Sequence, residues 1–599
     1  SYPHRLSDKS AEQGFCKFFK ALPEKPDTLL RLFERNGGDY YSVHGEDALF
    51  VAQAVYKTSS VIKYLGADAP RGLPSCTLSK LNANSLLRDL LMVKLYRVEI
   101  WGGGANRGKW EIVKKASPGN LQAVEEMLFS NHVVSSSPVV LAVKVGTRGE
   151  QKLVGIAYSD ATINRVLGVA EFVDNDTFSN FESLLIQLSV KECVIPDDSQ
   201  SYELKKMVTI LNRCQVVVTE RKKVDFGIAN VEQDLDRLID GLGEERTASS
   251  LPEFEFKLAM GCTACLIKYL DLMGDESNFH QYSLTQHDLA QFMKLDAAAV
   301  KALNLMPGPM DGSNKNMSLY GLLNNCQTAQ GSRMLAQWLK QPLLSLPDIE
   351  MRQTLVEVFC NDTELRQGLQ EEHLKRFPDL HRLCKKFQRG KATLQDVIVV
   401  YQVVIRLPAL NDLLQDYSGD NADVITEVYT AQLKEYIENL AKFRDLVEST
   451  IDLDAIENNQ FMVKPDFDES LLHARQKMDE IFAQMEPEAE RVADSLGLQY
   501  GQKLKFENSP QYGYHMRVTR ADSGAVRNKK YIELATRNNG ILFQTRELQD
   551  LSNEFMDLSA EYQRLQANFA NEIISVVLSF TTIFEITNEL VAHLDVILR

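Results

Sequence analysis

A glycine-rich stretch, "GGGANRGKW" at residues 102–110, has the spacing of a nucleotide-binding loop. Read from Gly103 it fits G-x-x-x-x-G-K, but Trp110 stands where a Ser or Thr hydroxyl would hold Mg²⁺. A phosphate loop also needs a helix to begin at Lys109, and the following "WEIVKKASPG" alternates like a strand. The pattern therefore favours a hairpin turn, with a nucleotide hydrolase using residues 103–109 as the alternative.

The other motifs that could do chemistry favour structural roles. The C-x-x-C formed by Cys262 and Cys265 lies in a helical stretch without a second pair at zinc spacing, so we interpret it as two small residues in a packed helix. The carboxylates of "IDLD" (451–454) and "DFD" (466–468) have no basic or metal partner and indicate solvated turns. We therefore predict no catalytic and no metal-binding residues.

Three successive strands over residues 138–174, followed by alternating helices and strands to residue 220, have the order of a ribonuclease-H-like domain. Nucleases of that fold hold two metal ions with clustered carboxylates, one of them in the middle of the first strand. "PVVLAVKVG" offers only Lys144 there, and Glu182 and Asp197 cannot form the cluster alone. This domain is expected to be catalytically silent.

Basic strands near residue 520 carry the strongest chemical signal. Residues 500–546 hold nine basic and three acidic side chains within a chain whose formal net charge is −16. Interleaved tyrosines (Tyr512, Tyr514, Tyr531) and cations suit a grip on duplex phosphates, which positions a protein without reading sequence. The predicted DNA-binding residues are Lys503, Lys505, Arg517, Arg520, Arg527, Lys529, Lys530 and Arg537. A solvated basic surface is the alternative interpretation.

Composition limits the class of protein. At 599 residues the chain is expected to form about four domains, and its nine scattered cysteines suit a reducing compartment, cytosolic or nuclear. The N-terminus lacks the apolar segment of a secretory signal, and the apolar stretch 573–586 is too short to span a bilayer, so we expect no membrane partner. The overall negative charge argues against a protein that coats nucleic acid over its whole surface.

Helical segments flank the basic strands. Leu433, Ile437, Leu440 and Val447 share one face of a predicted helix before them. After them, a heptad seam predicts a long coiled-coil-like helix through Leu548, Leu551, Phe555, Leu558, Tyr562, Leu565 and Phe569. These patterns indicate a small β-rich module inserted between two helical arms.

The segment "LLNNCQTAQGSRMLAQWLKQPL" (322–343) resembles the core signature of the MutS family of DNA mismatch-recognition proteins. The matching residues are Cys326, Thr328, Gly331, Arg333, Trp338, Leu339, Pro342 and Leu343. "KLDAAAVKALNL", "FMVKPDFD" and "VHGEDALFVAQAVYKTSSVIKY" are similar to the eukaryotic MutS homologue 2 branch in order and spacing. The resemblance covers essentially the whole chain.

The resemblance implies a multidomain α/β plus all-α fold. We expect a mixed α/β mismatch-binding-like domain (1–115), a ribonuclease-H-like connector (116–285), a helical core and lever (286–450), an inserted DNA clamp (451–545) and a returning lever helix (546–599). It also implies a protein that is located in the nucleus and binds duplex DNA with mismatches or insertion/deletion loops. The protein partners that it implies are a MutS homologue 6 or 3 type subunit, in a heterodimer, and MutL-type proteins.

Two departures from the family pattern qualify these expectations. Mismatch-reading subunits have a Phe-x-Glu at the lesion, whereas the matching position here gives Tyr40-Tyr41-Ser42. Tyr40 and Tyr41 are therefore expected to lie near the mismatch. This chain is expected to be the subunit that pairs with a mismatch-reading subunit. Family members also continue into an ATPase domain, but this chain stops at Arg599, so ATP and Mg²⁺ are expected only beyond it. A coiled-coil scaffold that never touches DNA remains the non-enzyme alternative.

Overall fold

The computed structural model divides the chain into two compact units. The first unit comprises residues 1–379, 419–424 and 589–599, and the second comprises 380–418 and 425–588. The structure describes residues 9–67, 71–103, 110–124, 127–128, 139–149, 151–160, 166–198, 200–242, 247–274, 276–308, 315–458, 460–520, 522, 524, 526, 531–537 and 539–599.

The first unit begins with a six-stranded mixed sheet. Its elements are the strands β1 (Leu29–Arg35), β2 (Tyr40–His44), β3 (Lys63–Leu65), β4 (Leu73–Ser79), β5 (Arg97–Gly102) and β6 (Glu111–Ala116) and the helices α1 (Lys9–Lys20), α2 (Glu46–Val51) and α3 (Lys80–Arg88). The strand order is β3-β4-β2-β1-β5-β6, with β1 and β5 parallel. One face buries alternate apolar residues such as Leu32 and Val43 against α2 and α3, and the other face meets the aromatic side chains of α1.

A second six-stranded sheet follows. Its elements are β7 (Val139–Arg148), β8 (Gln151–Asp160), β9 (Val166–Asp174), β10 (Val190–Pro196), β11 (Val217–Arg221) and β12 (Ser283–Gln286), with α4 (Ser179–Gln187), α5 (Tyr202–Arg213), α6 (Val231–Leu238) and α7 (Lys257–Tyr269). The order is β11-β10-β7-β8-β9-β12. The strands are apolar on both faces because α4 and α5 cover one face and α6 and α7 the other. The predicted succession of three strands and then alternating helix and strand is confirmed, and β12 is an addition that the pattern did not indicate.

The rest of the first unit is helical. Its helices are α8 (Ala297–Ala302), α9 (Leu319–Leu323), α10 (Ala329–Lys340), α11 (Leu346–Asn361) and α12 (Thr363–Gly368), joined at the chain's end by the last turns of α20 (Thr581–Ile597). Side-chain caps define where several of them begin. Thr328, for example, accepts a hydrogen bond from the Gly331 amide and so starts α10.

The second unit is a helical body with one small sheet. Its helices include α13 (Leu380–Gln388), α14 (Leu394–Val404), α15 (Leu407–Gln415), α17 (Ala431–Thr450), α18 (Glu469–Leu496) and α19 (Arg546–Leu578). The short α16 (Ala422–Ile425) precedes α17 in the chain, and all but its last residue belong to the first unit. The helix predicted from the heptad seam is confirmed as the 33 residues of α19. The 28-residue helix α18 was not predicted, because its charged sequence and internal Pro487 hide the apolar period.

The third sheet lies between α18 and α19 in the chain. Its strands are β13 (Leu504–Ser509), β14 (Gly513–Val518), β15 (Ile532–Arg537) and β16 (Gly540–Gln544). All neighbouring strands are antiparallel, in the order β13-β14-β16-β15. A β-rich module between two helices is therefore present, as the sequence predicted.

Residues 394–415 form a helical stretch long and apolar enough to cross a membrane by length and composition. Half of its most apolar window is buried inside the protein, as in the core helix of a globular domain. The apolar stretch at 573–586 is divided between α19 and α20.

Candidate nucleic-acid interface

The two faces of the third sheet differ in chemistry. Leu504, Met516, Val518, Ile541 and Phe543 point to one side and form a core with Ile481, Met485 and Ala489 of α18. Lys505 pairs with Arg517, and Arg517 pairs with Leu542, so these residues point to the opposite side. We call this opposite side, with Lys505, Arg517 and Arg537, the outer face.

Most of the predicted cations of this sheet that the structure describes are exposed. Lys503, Lys505, Arg520 and Arg537 are exposed side chains. The Arg520 Nε donates to the Arg537 carbonyl, which brings two cations together at one end of the sheet. Lys503 approaches Asp522 at 3.9 Å, a long contact that leaves its charge largely solvated. The predicted residues Arg527, Lys529 and Lys530 lie outside the described residues.

Arg517 differs from the other cations because it already has a carboxylate partner. Its Nη2 and Nε donate to the two oxygens of Glu507 at 2.7 and 3.0 Å, and its Nη1 donates to the Asn539 carbonyl. Hydrogen bonds from this guanidinium lower the pKa of Glu507. With only 15% of its side chain exposed, Arg517 organises the outer face rather than standing free on it.

The sheet is held to its helices by polar contacts at its edges. Ser552 of α19 accepts the Tyr514 amide at 2.9 Å. A side chain at Gly513, whose φ is +64°, would collide with that serine and with Met556. Thr545 caps α19 and donates to Glu488 of α18 at 2.8 Å. The outer face is therefore presented by a module fixed to both long helices.

The two tyrosines predicted near a mismatch point to opposite faces of the first sheet. Tyr40 begins β2 and is half-buried, on the face that carries Ser42, His44 and α1. Tyr41 is 4% exposed, lies in the core against α2 and α3, and its hydroxyl contacts the Met127 sulfur. Tyr41 is therefore unavailable to a duplex in this conformation, and Tyr40 is the accessible member of the pair.

The signature residues of 326–342 form a helix junction. The carboxylate of Asp595, fully buried on α20, accepts hydrogen bonds from the Gln327 amide and from both the amide and the hydroxyl of Thr328 at 2.7–3.1 Å. A Cβ at Gly331 would collide with the same carboxylate. Burial, with Asp595 nearby, raises the pKa of Cys326 to about 12. The spacing of Thr328 and Gly331 thus fits the start of α10 against the end of α20.

Three further signature residues, Arg333, Trp338 and Pro342, contact several segments of the first unit. Arg333 makes two 2.8 Å hydrogen bonds to the carboxylate of Asp379. The Trp338 ring lies 5.3 Å from that of His593 and carries the Arg352 guanidinium 3.4 Å above its centroid. The Pro342 carbonyl accepts the Met293 amide at 2.8 Å. The signature residues therefore pack and cap helices in this structure.

Comparison with known proteins identifies the domains. MutS domain I matches residues 13–125, MutS domain II matches 138–283 and MutS domain III matches 298–598. DNA mismatch repair protein msh-2 of Neurospora crassa is 49% identical over 593 residues, which make up 98% of this chain and 62% of that protein. The chain belongs to the MutS family. DNA mismatch repair protein MSH2 of Saccharomyces cerevisiae is 38% identical over 99% of this chain and 64% of its own length.

The similarity extends to a relative from an insect. DNA mismatch repair protein spellchecker 1 of Drosophila melanogaster is 35% identical over 600 residues, covering 98% of this chain and 64% of that protein. The chain thus spans a little under two thirds of the length of these relatives. The matched portion comprises MutS domains I, II and III.

The glycine-rich stretch at residues 102–110 lies in the part of the chain that matches MutS domain I. Residues 104–109 are outside the described residues, but the strands on either side, β5 and β6, pair antiparallel with Gly102 opposite Glu111. Residues 111–116 are strand where a phosphate loop requires a helix. The antiparallel strands on either side of residues 104–109 support the hairpin interpretation.

The other candidate motifs have structural roles in the MutS domain II region. Cys262 and Cys265 are buried in α7, and burial raises both pKa values, so neither thiol is poised to react. Glu182 is buried, paired with Arg213, and accepts the Ala297 amide. It stabilises the start of α8 and is not part of a described carboxylate cluster.

Sequence reasoning missed the buried carboxylates that organise this MutS-family chain. Asp595 lies in "ELVAHLDVIL", and a lone acid on an otherwise apolar helix was its available signal. Glu192, 0% exposed on β10, accepts hydrogen bonds from Ser117, Thr219 and Tyr269. Those donors come from three separate segments, so spacing along the chain could not have indicated the cluster.

Proposed function

We propose that this chain is the DNA-binding portion of a MutS homologue 2 type subunit, which with a second MutS-type subunit recognises mismatched or looped duplex DNA. The family membership and the names of the relatives as mismatch repair proteins support the recognition of DNA. The observation that carries the proposal is the outer face of the third sheet, where exposed cations gather in a chain of net charge −16.

The outer face grips the phosphate backbone in this proposal. Lys505 and Arg537 stand opposite the sheet's apolar core, and Lys503 and Arg520 extend the basic surface at its ends. Such cations release counterions from duplex DNA and bind it without reading base sequence. Arg517, held by Glu507, keeps the strands in register and has a smaller direct role. Arg527, Lys529 and Lys530 remain proposed contacts.

The acidic helices beside the sheet favour the same geometry. Exposed acids on α18 and α19, among them Glu480, Glu490, Glu554 and Glu561, repel phosphate. A duplex approaching this region is therefore directed to the sheet and away from the helical pair.

We propose the domain division 1–115, 116–285, 286–450, 451–545 and 546–599, with the third sheet as the clamp of a helical lever. The order β9-β8-β7-β10-β11, three antiparallel strands followed by two parallel ones, supports a ribonuclease-H-like connector. The accessible Tyr40, and the buried Ser42 in place of a carboxylate, support a subunit that accompanies a mismatch reader.

The partners and the cofactor are part of the same proposal. In this proposal a MutS homologue 6 or 3 type subunit supplies the mismatch reader, and MutL-type proteins act on the assembled complex. Mismatch recognition by this complex takes place in the nucleus. ATP and Mg²⁺ belong to an ATPase domain of the full-length protein. The family membership and the share of each relative that the chain spans support this assignment.

Charge reversal on the outer face tests the proposal. The double variant Lys505→Glu and Arg537→Glu should bind duplex DNA at least about 10-fold more weakly, and the slope of log affinity against log salt should fall by about 2. Fluorescence anisotropy of a labelled duplex over a salt series measures both quantities. Circular dichroism and the midpoint of unfolding should be unchanged, because both side chains are exposed.

The matched control is Lys434→Glu with Lys442→Glu, which changes net charge equally on the exposed surface of α17. Its salt slope should stay near that of the wild type. If the outer-face variant and this control bind alike, the assignment of the clamp is wrong. If the wild-type chain binds no duplex even at low salt, the scaffold alternative is favoured.

A further inference from the structure

Arg35, at the end of β1, is a largely buried cation without a carboxylate partner among the described residues. Arg31 lies four residues earlier on the same strand and face, and its Nε donates to Glu99 at 3.1 Å. Arg35 instead donates from Nε to the Ser42 hydroxyl at 2.9 Å and meets His44 Nε2 at 3.4 Å through Nη2. A buried cation normally takes a carboxylate, so this exception calls for a cause.

Aromatic rings take the place of the carboxylate. The guanidinium carbon of Arg35 lies 4.7 Å from the ring centroid of Phe15 and 4.6 Å from that of Trp110. The two rings are 5.5 Å apart, and Phe33 lies 5.5 Å from Trp110. Ring faces attract a cation, and the attraction grows when water is excluded. We call Phe15 and Trp110, together with Phe33 that packs against both rings, the aromatic cage.

The polar contacts of Arg35 are fixed by a second set of residues. His44 is 2% exposed, and its Nδ1 lies 2.7 Å from the Ser75 hydroxyl of β4. Burial, and then the charge of Arg35, hold the pKa of His44 well below its usual range, so the imidazole is neutral at physiological pH. A neutral ring can accept a hydrogen bond from a guanidinium, and a charged one would repel it.

These contacts lie beside the turn that precedes Tyr40. Residues 36–39 connect β1 to β2, and Gly37 and Gly38 have φ of +67° and +96°. Arg35 and Tyr40 form the last cross-strand pair before the turn. Two glycines leave a turn conformationally free, so its restraint has to come from the strand ends. Arg35 supplies it, since its side chain ties β1 to β2 and to α1 at that position.

We infer that Arg35 and the aromatic cage are positioning residues, which fix the β1–β2 turn and thereby hold Tyr40 in place against duplex DNA. The contact of Tyr40 with DNA rests on the proposed function, whereas the restraint of the turn does not. Helix α1 takes part through Phe15, so it acts as a strap across the sheet face that carries Tyr40.

Hydrogen–deuterium exchange without DNA tests the restraint. In Arg35→Lys, which keeps the charge but loses the forked contacts to Ser42 and His44, amides of residues 36–42 should exchange about 10-fold faster, as the loss of one buried hydrogen bond allows. Phe15→Leu should have the same effect without touching the strands. Arg31→Lys, on the same strand, is the matched control and should leave the turn unchanged. Equal exchange in all four proteins overturns the inference.

Cross-linking with DNA tests the consequence. A photoreactive phenylalanine analogue at position 40 should cross-link to a bound mismatched duplex at least about threefold less in Arg35→Lys than in wild type, at matched bound fraction. A cross-linker at position 505 on the clamp should be unaffected, which a general loss of folding would not allow. Unchanged yield from position 40, despite faster exchange, overturns the link to DNA. If the wild-type chain binds no duplex, the proposed function fails, and exchange still decides the restraint.

Discussion

Two sheets of this MutS-family chain each carry an arginine beside a proposed DNA-contacting surface, but they treat its charge differently. Arg517 of the third sheet is forked onto Glu507, and the pair is partly solvated. Arg35 of the first sheet is held by Phe15 and Trp110 and by neutral polar groups. The first arrangement cancels the charge locally, and the second preserves it.

The difference shows that the partner of a buried arginine determines how much of its charge can act on DNA. A carboxylate partner gives strong, directional hydrogen bonds, but it removes the field that would attract phosphate. Aromatic rings stabilise the cation without opposing its charge, although burial still lowers the pKa of Arg35 to about 10. An aromatic cage therefore suits Arg35, whose charge is kept next to Tyr40. A salt bridge suits Arg517, because other cations on the same sheet supply the positive charge.

The largest expected effect on stability comes from reversing the charge at position 35. Arg35→Glu should destabilise the protein by about 3–5 kcal/mol, because it leaves a carboxylate unpaired among aromatic rings. Arg35→Met removes the charge and keeps the stem, so it should cost only about 1–2 kcal/mol. Urea denaturation of both variants beside the wild type measures the difference. Equal stability of the two variants would mean that position 35 is solvated and that no cage operates.

Lys340 sharpens the comparison, since it is a cation with neither a carboxylate nor a cage among the described residues. Its Nζ donates to the Ser189 hydroxyl at 2.7 Å, and burial, with Lys191 nearby, lowers its pKa to about 8. The pKa of a lysine in the unfolded chain is about 10.4. The unfolded chain therefore binds one more proton between these values, and the stability contributed by this site rises with pH across that window.

Lys340→Met should consequently stabilise the protein at pH 7 by on the order of 1–3 kcal/mol, less what the lost hydrogen bond contributed. The advantage of the variant should shrink as the pH rises from about 8 towards about 10. Urea unfolding midpoints at pH 7 and pH 10 measure both effects. A gap between variant and wild type that does not change with pH would show that Lys340 keeps its proton throughout.

Sequence periodicity predicted much of the fold because the elements bury one clear face. The heptad seam of α19 and the strands of the second sheet follow that rule. Helix α18 escaped because its apolar positions are diluted by charge around Pro487. The family resemblance supplied Thr328, Gly331 and Arg333, but their partners Asp595 and Asp379 are distant in the chain, and no local spacing connects them.

Of the candidate DNA-binding site, the sequence predicted the excess of positive charge but not the contacts of the individual side chains. The excess of cations over 500–546 indicates a basic surface without telling which cation is free, because the pairing of Arg517 with Glu507 depends on sheet register. Tyr40 and Tyr41 also differ in exposure, because adjacent residues of a strand point to opposite faces of the sheet. The cage around Arg35 joins α1, β1 and the residue before β6, and it could not be read from any one stretch.

The smallest expected effect comes from releasing Arg517. Glu507→Gln removes the carboxylate charge and keeps the shape, so the outer face gains a positive charge. Unfolding free energy should fall by about 0.5–1 kcal/mol, as for a partly exposed pair. Duplex affinity at low salt should rise about two- to fivefold, with a salt slope steeper by up to about 1.

Anisotropy titrations of the same duplex at several salt concentrations measure this gain. The isosteric change separates two explanations for a basic sheet. If charge on the outer face drives binding, then removing an acid there strengthens it just as removing a base weakens it. If the Arg517–Glu507 pair matters only for register, affinity stays level or falls together with stability. A fall would place Arg517 with Arg35, as a residue that acts through the strand it holds.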